Sequence, residues 1–119
     1  MSLTGALVPI VLIPRFTSYI GPNAGLSSLP VDVSAYASGT IVAWRGPFVG
    51  TSPFFSIVIA ESEDRVIWTN LATINLTSLT TDQATVTLTR KWLRVTAILT
   101  GTSIAVSSWC TGYLERRVS

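Results

Sequence analysis

An alternation of apolar and polar residues recurs along the chain, and it restricts the chain to β-structure. In residues 31–35 and 84–88 every second residue is apolar and the residues between them are polar. Successive side chains of a strand point to opposite faces, so this period of two is typical of a half-buried strand. No stretch keeps a helical period with a cap at its start. Residues 71–79 could be placed on a helix, but their threonine and asparagine content favours a strand.

Other stretches are apolar at consecutive positions, so both of their faces are apolar, as in residues 40–44, 54–60 and 92–99. Such strands lie at the centre of a sheet or bury their outer face against a partner. The predicted strands are residues 5–8, 10–13, 15–20, 31–36, 40–45, 54–61, 65–69, 72–77, 84–89, 92–99, 103–110 and 113–117. These are more strands than one sheet comfortably holds, so the sequence predicts an all-β chain, an antiparallel β-sandwich of the jelly-roll type.

The tripeptide Gly-Thr-Ser occurs twice, at residues 50–52 and 101–103, and each copy lies between two apolar runs. A strand, a short turn with a glycine and a returning strand are the pattern of a β-hairpin. We therefore predict a hairpin at each copy. A further sharp turn is predicted at Ser62, Glu63 and Asp64.

The composition favours an assembly component. Hydrophobic residues make up 48% of the chain and charged residues only 12%, against roughly 25% charged residues in ordinary soluble domains. Part of the apolar surplus is then expected to be buried against another chain; the alternative is a monomer whose sheet face is covered by threonine. The net charge of +2 rests on few groups, with small clusters at Arg90-Lys91-Arg94 and Arg116-Arg117. These are too few for phosphate-driven binding, so no specific nucleic acid partner is predicted, although Trp92 could stack on a base.

The residues that usually carry catalysis are missing or isolated. The chain has no histidine, the commonest general base and metal ligand, and it has no Gly-x-Ser-x-Gly motif. Only the carboxylates Glu61, Glu63 and Asp64 are dense enough to suggest a calcium site or a glycosidase pair. A tight turn favours the same residues because they are polar, and a solvated turn is the preferred interpretation. We predict no enzyme activity, no metal and no cofactor.

The remaining marked residues have plain structural interpretations. The single cysteine, Cys110, cannot form an internal disulfide and is predicted to be a small buried apolar residue. Residues 6–13 are apolar but too short to span a bilayer, and no positive residue precedes them as in a signal peptide, so no membrane partner is predicted. The tryptophans could form a sugar-binding platform, but packing in the core or between subunits is the more frequent role; they are Trp44, Trp68, Trp92 and Trp109.

The first 28 residues differ from the rest because Pro9, Pro14 and Pro22 interrupt them. Proline cannot donate to a ladder, so this segment belongs at a sheet edge or outside the sheet. Two alternatives stay open: an extended N-terminal arm that adds a strand to its own or a neighbouring subunit, and an ordinary first edge strand. The predicted division is residues 1–28 as arm and edge strand and residues 29–119 as the sandwich domain.

One ordered set of segments carries a family resemblance. Gly-Thr-Ser-Pro at residues 50–53 is followed by an apolar strand, Glu-Ser-Glu-Asp at 61–64 and Trp-Thr-Asn-Leu at 68–71, and then by Trp-Leu-Arg-Val-Thr-Ala-Ile-Leu-Thr-Gly-Thr-Ser at 92–103. This order, within residues 40–108, resembles small β-sandwich virion proteins of tailed bacteriophages, closest to capsid decoration (cement) proteins. The chain departs from their pattern at residues 65–67, where a glycine-containing turn is more usual.

The resemblance implies a structural virion protein on the outer capsid surface, made in the host cytoplasm. Such a protein bridges subunits of the major capsid protein as a symmetric homo-oligomer, a trimer or dimer, and closed symmetry repeats each weak contact. The rival functions are a tail, baseplate or fibre module and a carbohydrate-binding host-recognition module. The residues predicted to contact the capsid or another subunit are Leu7, Val8, Ile10, Val11, Leu12, Ile13, Arg15, Tyr113, Arg116 and Arg117.

Overall fold

The computed structural model describes residues 7–21 and 23–117, with the main chain alone at residues 16 and 23–25. All of its regular elements in these ranges are strands: β1 (Leu7–Ile20), β2 (Asn23–Ser27), β3 (Val31–Asp32), β4 (Tyr36–Arg45), β5 (Val49–Ser62), β6 (Thr69–Asn75), β7 (Thr81–Thr87) and β8 (Trp92–Arg116). No helix capable of crossing a membrane occurs in the described ranges. The all-β prediction is confirmed.

The long strand β8 is the central strand of the fold, and other strands pair with both of its edges along most of its length. Along one edge β1, β2 and β3 follow one another antiparallel to β8, from Leu7 opposite Glu115 to Asp32 opposite Trp92. Along the other edge β4 and then β5 run in the same direction. Strand β7 pairs with β4 and strand β6 with β5. The result is a long, narrow sheet, which we call the ribbon. In it β8 lies between β1–β3 on one side and β4–β5 on the other, and β7 and β6 are added beyond β4 and β5.

This ribbon folds back on itself near residues 100–104 and forms two layers. The first layer contains β2, β3, residues 92–99 of β8, β5 and β6; the second contains β1, residues 105–116 of β8, β4 and β7. Side chains from both layers form one buried cluster, which includes Phe55, Leu99, Ile41 and Leu114. The two antiparallel layers form a nearly closed, barrel-like sandwich, as predicted.

The predicted hairpins at the two Gly-Thr-Ser copies are wrong, because neither copy reverses the chain. β5 and β8 continue through them, and the two copies pair with each other, with Thr51 opposite Thr102. In each copy the glycine and the serine have positive φ: 110° at Gly50, 52° at Ser52, 134° at Gly101 and 51° at Ser103. The pairing register shifts on both sides of Thr51, so the copies act as facing β-bulges that bend the ribbon.

Most of the other predicted strands agree with the structure except at their boundaries. The strand predicted at residues 31–36 is wrong at its centre, because β3 ends at Asp32, residues 34–35 form a turn and β4 begins at Tyr36. Residues 40–45, 54–61, 72–77 and 84–89 overlap single strands, whereas the segments predicted within residues 5–20 merge into β1 and those within 92–117 into β8. The predicted strand at residues 65–69 is wrong over most of its length, because a bent loop occupies residues 63–67 and β6 begins only at Thr69. The predicted turn at residues 62–64 is confirmed.

The N-terminal segment forms an edge strand along β8 over its described residues. It pairs with β8 from Leu7 to Ile20, and Leu12, Ile13 and Tyr19 belong to the common buried cluster. Pairing within its own chain is compatible with both alternatives for the segment, which stay open. Residues 1–6 lie outside the described residues, and the division of the chain after residue 28 stays a prediction.

Candidate functional site

Charge is distributed unevenly along the long axis of the sandwich. Two ends are distinguished: the open end, where residues 33–35, 63–68 and 88–91 connect strands, and the folded corner, formed by residues 18–21, 46–54 and 100–107. Only Arg15, Arg45 and Asp82 lie away from the open end. The charged residues in or near the open end are Asp32, Glu61, Glu63, Asp64, Arg65, Arg90, Lys91, Arg94, Glu115, Arg116 and Arg117.

The folded corner carries exposed apolar side chains and no charged residue. Ile20 and Val49 are 80% and 64% exposed, and both lie opposite Ala105, one on each side of β8. They border a shallow cavity of about 250 Å³ that Pro47 and Ala105 also line. We call Ile20, Pro47, Val49 and Ala105 the corner patch. Exposed apolar side chains gathered beside one another are a mark of an interaction surface.

The uncharged residues predicted to contact a capsid fall into three groups. Leu12 and Ile13 are 6% and 4% exposed and lie in the core of their own chain, so they are not on the surface of the folded chain. Leu7, Val11 and Tyr113 are exposed, and their register places them on the outer face of the second layer. Val8 and Ile10 are half-buried, so their exposure is intermediate between those of the other two groups.

The predicted basic residues of the C-terminal segment lie at the open end. Arg117 donates to the carbonyl oxygens of Ser34 and Leu88, at 3.3 and 3.2 Å. The guanidinium of Arg116 lies 5.8 Å from the centroid of the Tyr36 ring. Arg117 therefore ties the segment after β8 by hydrogen bonds to the connection between β3 and β4 and to the connection between β7 and β8.

The acidic residues at 61–64 do not form one site. Glu61 is 4% exposed, and its carboxylate accepts hydrogen bonds from the backbone amides of Thr89 and Arg90, at 3.0 and 3.1 Å, and from the Thr89 hydroxyl at 2.9 Å. The prediction that Glu61 is solvated is therefore wrong, because its side chain is buried. Its carboxylate holds the connection between β7 and β8 in place. Buried charges are tolerated when they are bonded in this way.

The prediction of a solvated turn is correct for Asp64. Its carboxylate accepts from the backbone amides of Ile67 and Val66 and from the Ser62 hydroxyl, and these bonds lower the pKa of the carboxyl group. Within the described ranges, no group of three or more His, Cys, Asp or Glu side chains is placed to hold a metal ion. The acidic residues here stabilise turns.

All four tryptophans are half-buried, and none belongs to the buried core. The part of the prediction that placed them in the core is therefore wrong. Two of them lie at the open end beneath the chain's own cations: the Arg94 guanidinium lies 4.1 Å from the Trp68 centroid, and the Arg65 guanidinium lies 4.6 Å from that of Trp92. Of the predicted Arg90-Lys91-Arg94 cluster, Arg94 thus makes a cation–π contact within the chain, and the Lys91 ammonium lies 5.5 Å from the Trp92 centroid.

The other two tryptophans form a pair on the outer face of the second layer. Trp44 on β4 lies opposite Trp109 on β8, with ring centroids 6.0 Å apart and ring planes 18° apart. Beside them lies a cavity of about 440 Å³, which Val11, Arg15 and Thr111 also line.

Cys110 is fully buried, as predicted, and burial raises the pKa of its thiol to about 12. A thiol in this state is a packing residue without nucleophilic character at neutral pH. Burial likewise raises the pKa of the neighbouring Tyr19 hydroxyl to about 12. Both groups favour their neutral forms in the folded chain.

Sequence reasoning missed the corner patch and the role of Arg45. The Arg45 guanidinium donates to the carbonyl oxygens of Leu76, Gly46 and Thr77 and lies 4.0 Å from the Phe48 ring centroid. Nothing in the local pattern indicates these partners. A signal for the patch does exist, since residues 46–60 and 95–114 contain no charged residue.

Comparisons of sequence find no matching protein family and no similar curated protein, whereas comparison of structures finds several matches. The PBSX exported protein XepA superposes with a TM-score of 0.63 at 17% identity, covering 94% of this chain and 38% of XepA. The VP2 subviral particle of infectious bursal disease virus gives 0.60 at 10% identity, covering 98% of this chain and 34% of VP2. A Bacillus endospore appendage protein, from disulfide-linked pili, gives 0.59 at 14% identity, covering 99% of this chain and 96% of that protein. At these identities the similarity establishes the fold alone, and this chain spans little more than a third of XepA and of VP2.

Proposed function

We propose that this chain is a structural virion protein without enzymatic activity, and that it decorates the outer surface of a bacteriophage capsid. The observation that carries the proposal is the uneven surface: an uncharged folded corner with exposed Ile20 and Val49, opposite an end that holds most of the charge. A surface of this kind buries its apolar end against a protein partner and leaves its charged end in water.

The fold supports a role in assembly. A similar sandwich occurs in VP2, which forms particles, and in the subunit of an endospore appendage. In a sandwich of this kind the inward side chains fill the core and most backbone groups are paired between strands. Contacts with partners are therefore made by side chains on the outer faces and at the corners. Arg45, which directly precedes residues 46–54 of the corner, is already bonded to three carbonyl oxygens of its own chain.

In this proposal the corner patch contacts the major capsid protein. Leu7 and Tyr113, on the outer face of the second layer, form a second contact, with a neighbouring copy in a symmetric dimer or trimer. Each patch is small, and simultaneous contacts around a symmetric oligomer raise the overall affinity. Binding to the assembled shell alone would stabilise the shell against heat by mass action. The protein is made in the host cytoplasm and joins the shell there.

One observation favours a second candidate function, a subunit of a tail, fibre or other filament. The appendage protein is covered over almost its whole length by this chain, whereas VP2 and XepA are covered over about a third. A sandwich of this size can therefore serve in a filament subunit. The decoration role is preferred because of the uncharged corner.

The two candidates are separated by sedimentation. Labelled protein is mixed with purified heads and, separately, with purified tails of the phage that encodes it, and the bound fraction is measured after centrifugation. Decoration predicts saturable binding to heads and a reduction of about tenfold or more in Val49→Asp, because a charge is buried at the contact. The control Val66→Asp, which alters another exposed valine at the open end, should leave binding unchanged. Binding to tails alone contradicts decoration and supports the second candidate.

A further inference from the structure

We propose that the cavity beside Trp44 and Trp109 binds a pyranose sugar that carries a carboxylate, of the hexuronic acid class. Its volume is about 440 Å³, in the lower part of the range of roughly 300–1,000 Å³ found for ligand sites. That size suits one or two sugar rings. The proposal does not depend on the virion role, because it concerns a site on the isolated chain.

The aromatic pair forms one wall of the cavity. Trp44 and Trp109 are directly opposed on neighbouring strands, and their rings are nearly parallel at a centroid separation of 6.0 Å. The face of an aromatic ring is electrically negative, so it attracts the weakly positive C–H groups on the apolar face of a pyranose. Tryptophan provides this contact at a low cost in conformational entropy, and the sheet beneath keeps both rings in place.

Of the described residues that line the cavity, Arg15 alone is charged. The Arg15 guanidinium lies 5.5 Å from the Trp109 ring centroid. The pairing of β1 with β8 shifts between Ile13 and Thr17, so residues 14–16 bulge from the ladder, and the Thr17 hydroxyl closes this bulge by donating to the Pro14 carbonyl at 2.7 Å. The bulge places Arg15 over the outer face.

These groups select an acidic sugar over a neutral one. A guanidinium recognises a carboxylate with two parallel charge-assisted hydrogen bonds, and the hydroxyl of Thr111, which also lines the cavity, can donate to or accept from a ring hydroxyl. A neutral sugar keeps the aromatic contact and loses the ionic one. A simple carboxylate keeps the ionic contact and loses the aromatic one.

The tryptophans at the open end are an internal control. Trp68 and Trp92 have the same residue type and the same kind of cation nearby, but Arg94 and Arg65 approach their rings more closely, at 4.1 and 4.6 Å. Neither ring lines the cavity described above. A sugar that binds where we propose leaves both of them unaffected.

The test is an NMR titration of the ¹⁵N-labelled full chain, whose four tryptophans give four indole N–H signals, assigned with Trp→Phe variants. The probes are methyl β-D-glucuronide, methyl β-D-glucoside and sodium acetate. We expect saturable shifts of the Trp44 and Trp109 signals alone, with a Kd for the glucuronide of about 1–10 mM. The glucoside should bind about fivefold more weakly and acetate should produce no saturable shift, and the preference should shrink at about 0.5 M salt.

Variants complete the test. Arg15→Gln should reduce the preference for the glucuronide to within about twofold, and Trp44→Phe should weaken both sugars about threefold or more. The matched controls Arg65→Gln and Trp68→Phe should leave both affinities unchanged. The proposal is overturned by the absence of saturable shifts up to about 50 mM sugar, by equal shifts of all four indole signals, or by a preference that survives in Arg15→Gln.

Discussion

The paired Gly-Thr-Ser bulges are the feature on which the folding of the ribbon depends, and Gly101→Ala tests them. Gly101 has φ of 134°, and a Cβ added there would lie 2.5 Å from Ile104 Cγ1 and 2.9 Å from the Ser52 carbonyl oxygen. The backbone conformation is essentially confined to glycine and costs about 1–3 kcal/mol for another residue. Crowding against a packed side chain adds about 1–3 kcal/mol. We therefore expect Gly101→Ala to lower the free energy of unfolding by about 2–6 kcal/mol.

Gly46→Ala is the matched control for this substitution. A Cβ at Gly46 would meet its nearest neighbours, the Ser107 carbonyl oxygen and Cβ, at 3.8 and 3.9 Å, which is ordinary contact, and its φ is not positive. Its expected effect is within about 0.5 kcal/mol, or a small gain from the reduced freedom of the unfolded chain.

The assay is urea unfolding followed by circular dichroism at 25 °C, with both variants measured beside the wild type. Gly101→Ala should have a lower midpoint at an unchanged m-value, and its Tm should fall by about 8–20 °C for a chain of this size. Equal stabilities of Gly101→Ala and Gly46→Ala would refute the reasoning, because the bend would then not need a glycine at residue 101.

The remaining predictions concern buried and turn-forming groups. Glu61→Gln should destabilise the chain by about 1–3 kcal/mol in urea unfolding, whereas the exposed Glu63→Gln should stay within about 0.5 kcal/mol; equal effects would contradict the bonding of Glu61. Because the turn amides lower the folded-state pKa of Asp64, its stabilising effect is complete above the unfolded-state pKa of about 3.9 and is lost as pH falls through the folded-state pKa. Asp64→Asn should therefore lose less stability than the wild type between about pH 5 and pH 2, and a parallel loss would contradict this. The Cys110 thiol should resist Ellman's reagent in the folded chain and react at once in urea; rapid reaction without denaturant would contradict its burial.

The fold class could be predicted from the sequence because alternation is a local property. The strands β4, β6 and β7 each show their pattern within a few residues, and a sandwich follows from their number and length. The path of the chain could not be predicted in the same way. A glycine before a threonine and a serine is compatible with a hairpin and with a bulge, and the choice depends on which strand lies opposite. Here each copy lies opposite the other, a relation between residues 51 apart that no local pattern contains.

The candidate surfaces were predicted only in part. The apolar character of residues 7–13 is evident in the sequence, but the register that buries Leu12 and Ile13 while exposing Val11 depends on a shift in the pairing with β8. The sequence does not distinguish Glu61 from Glu63, because both are glutamates at the same turn. Their burial differs because the connection between β7 and β8 crosses Glu61 and supplies amide donors to it.

The central claim, that the uncharged corner attaches this protein to a viral shell, is tested most directly by a cryo-EM reconstruction of the virion of the phage that encodes it. We predict density for this sandwich on the outer capsid surface, with Ile20 and Val49 against the major capsid protein and the open end in solvent. A virion whose capsid carries no such density, or a bound sandwich whose corner patch faces solvent, would contradict the claim.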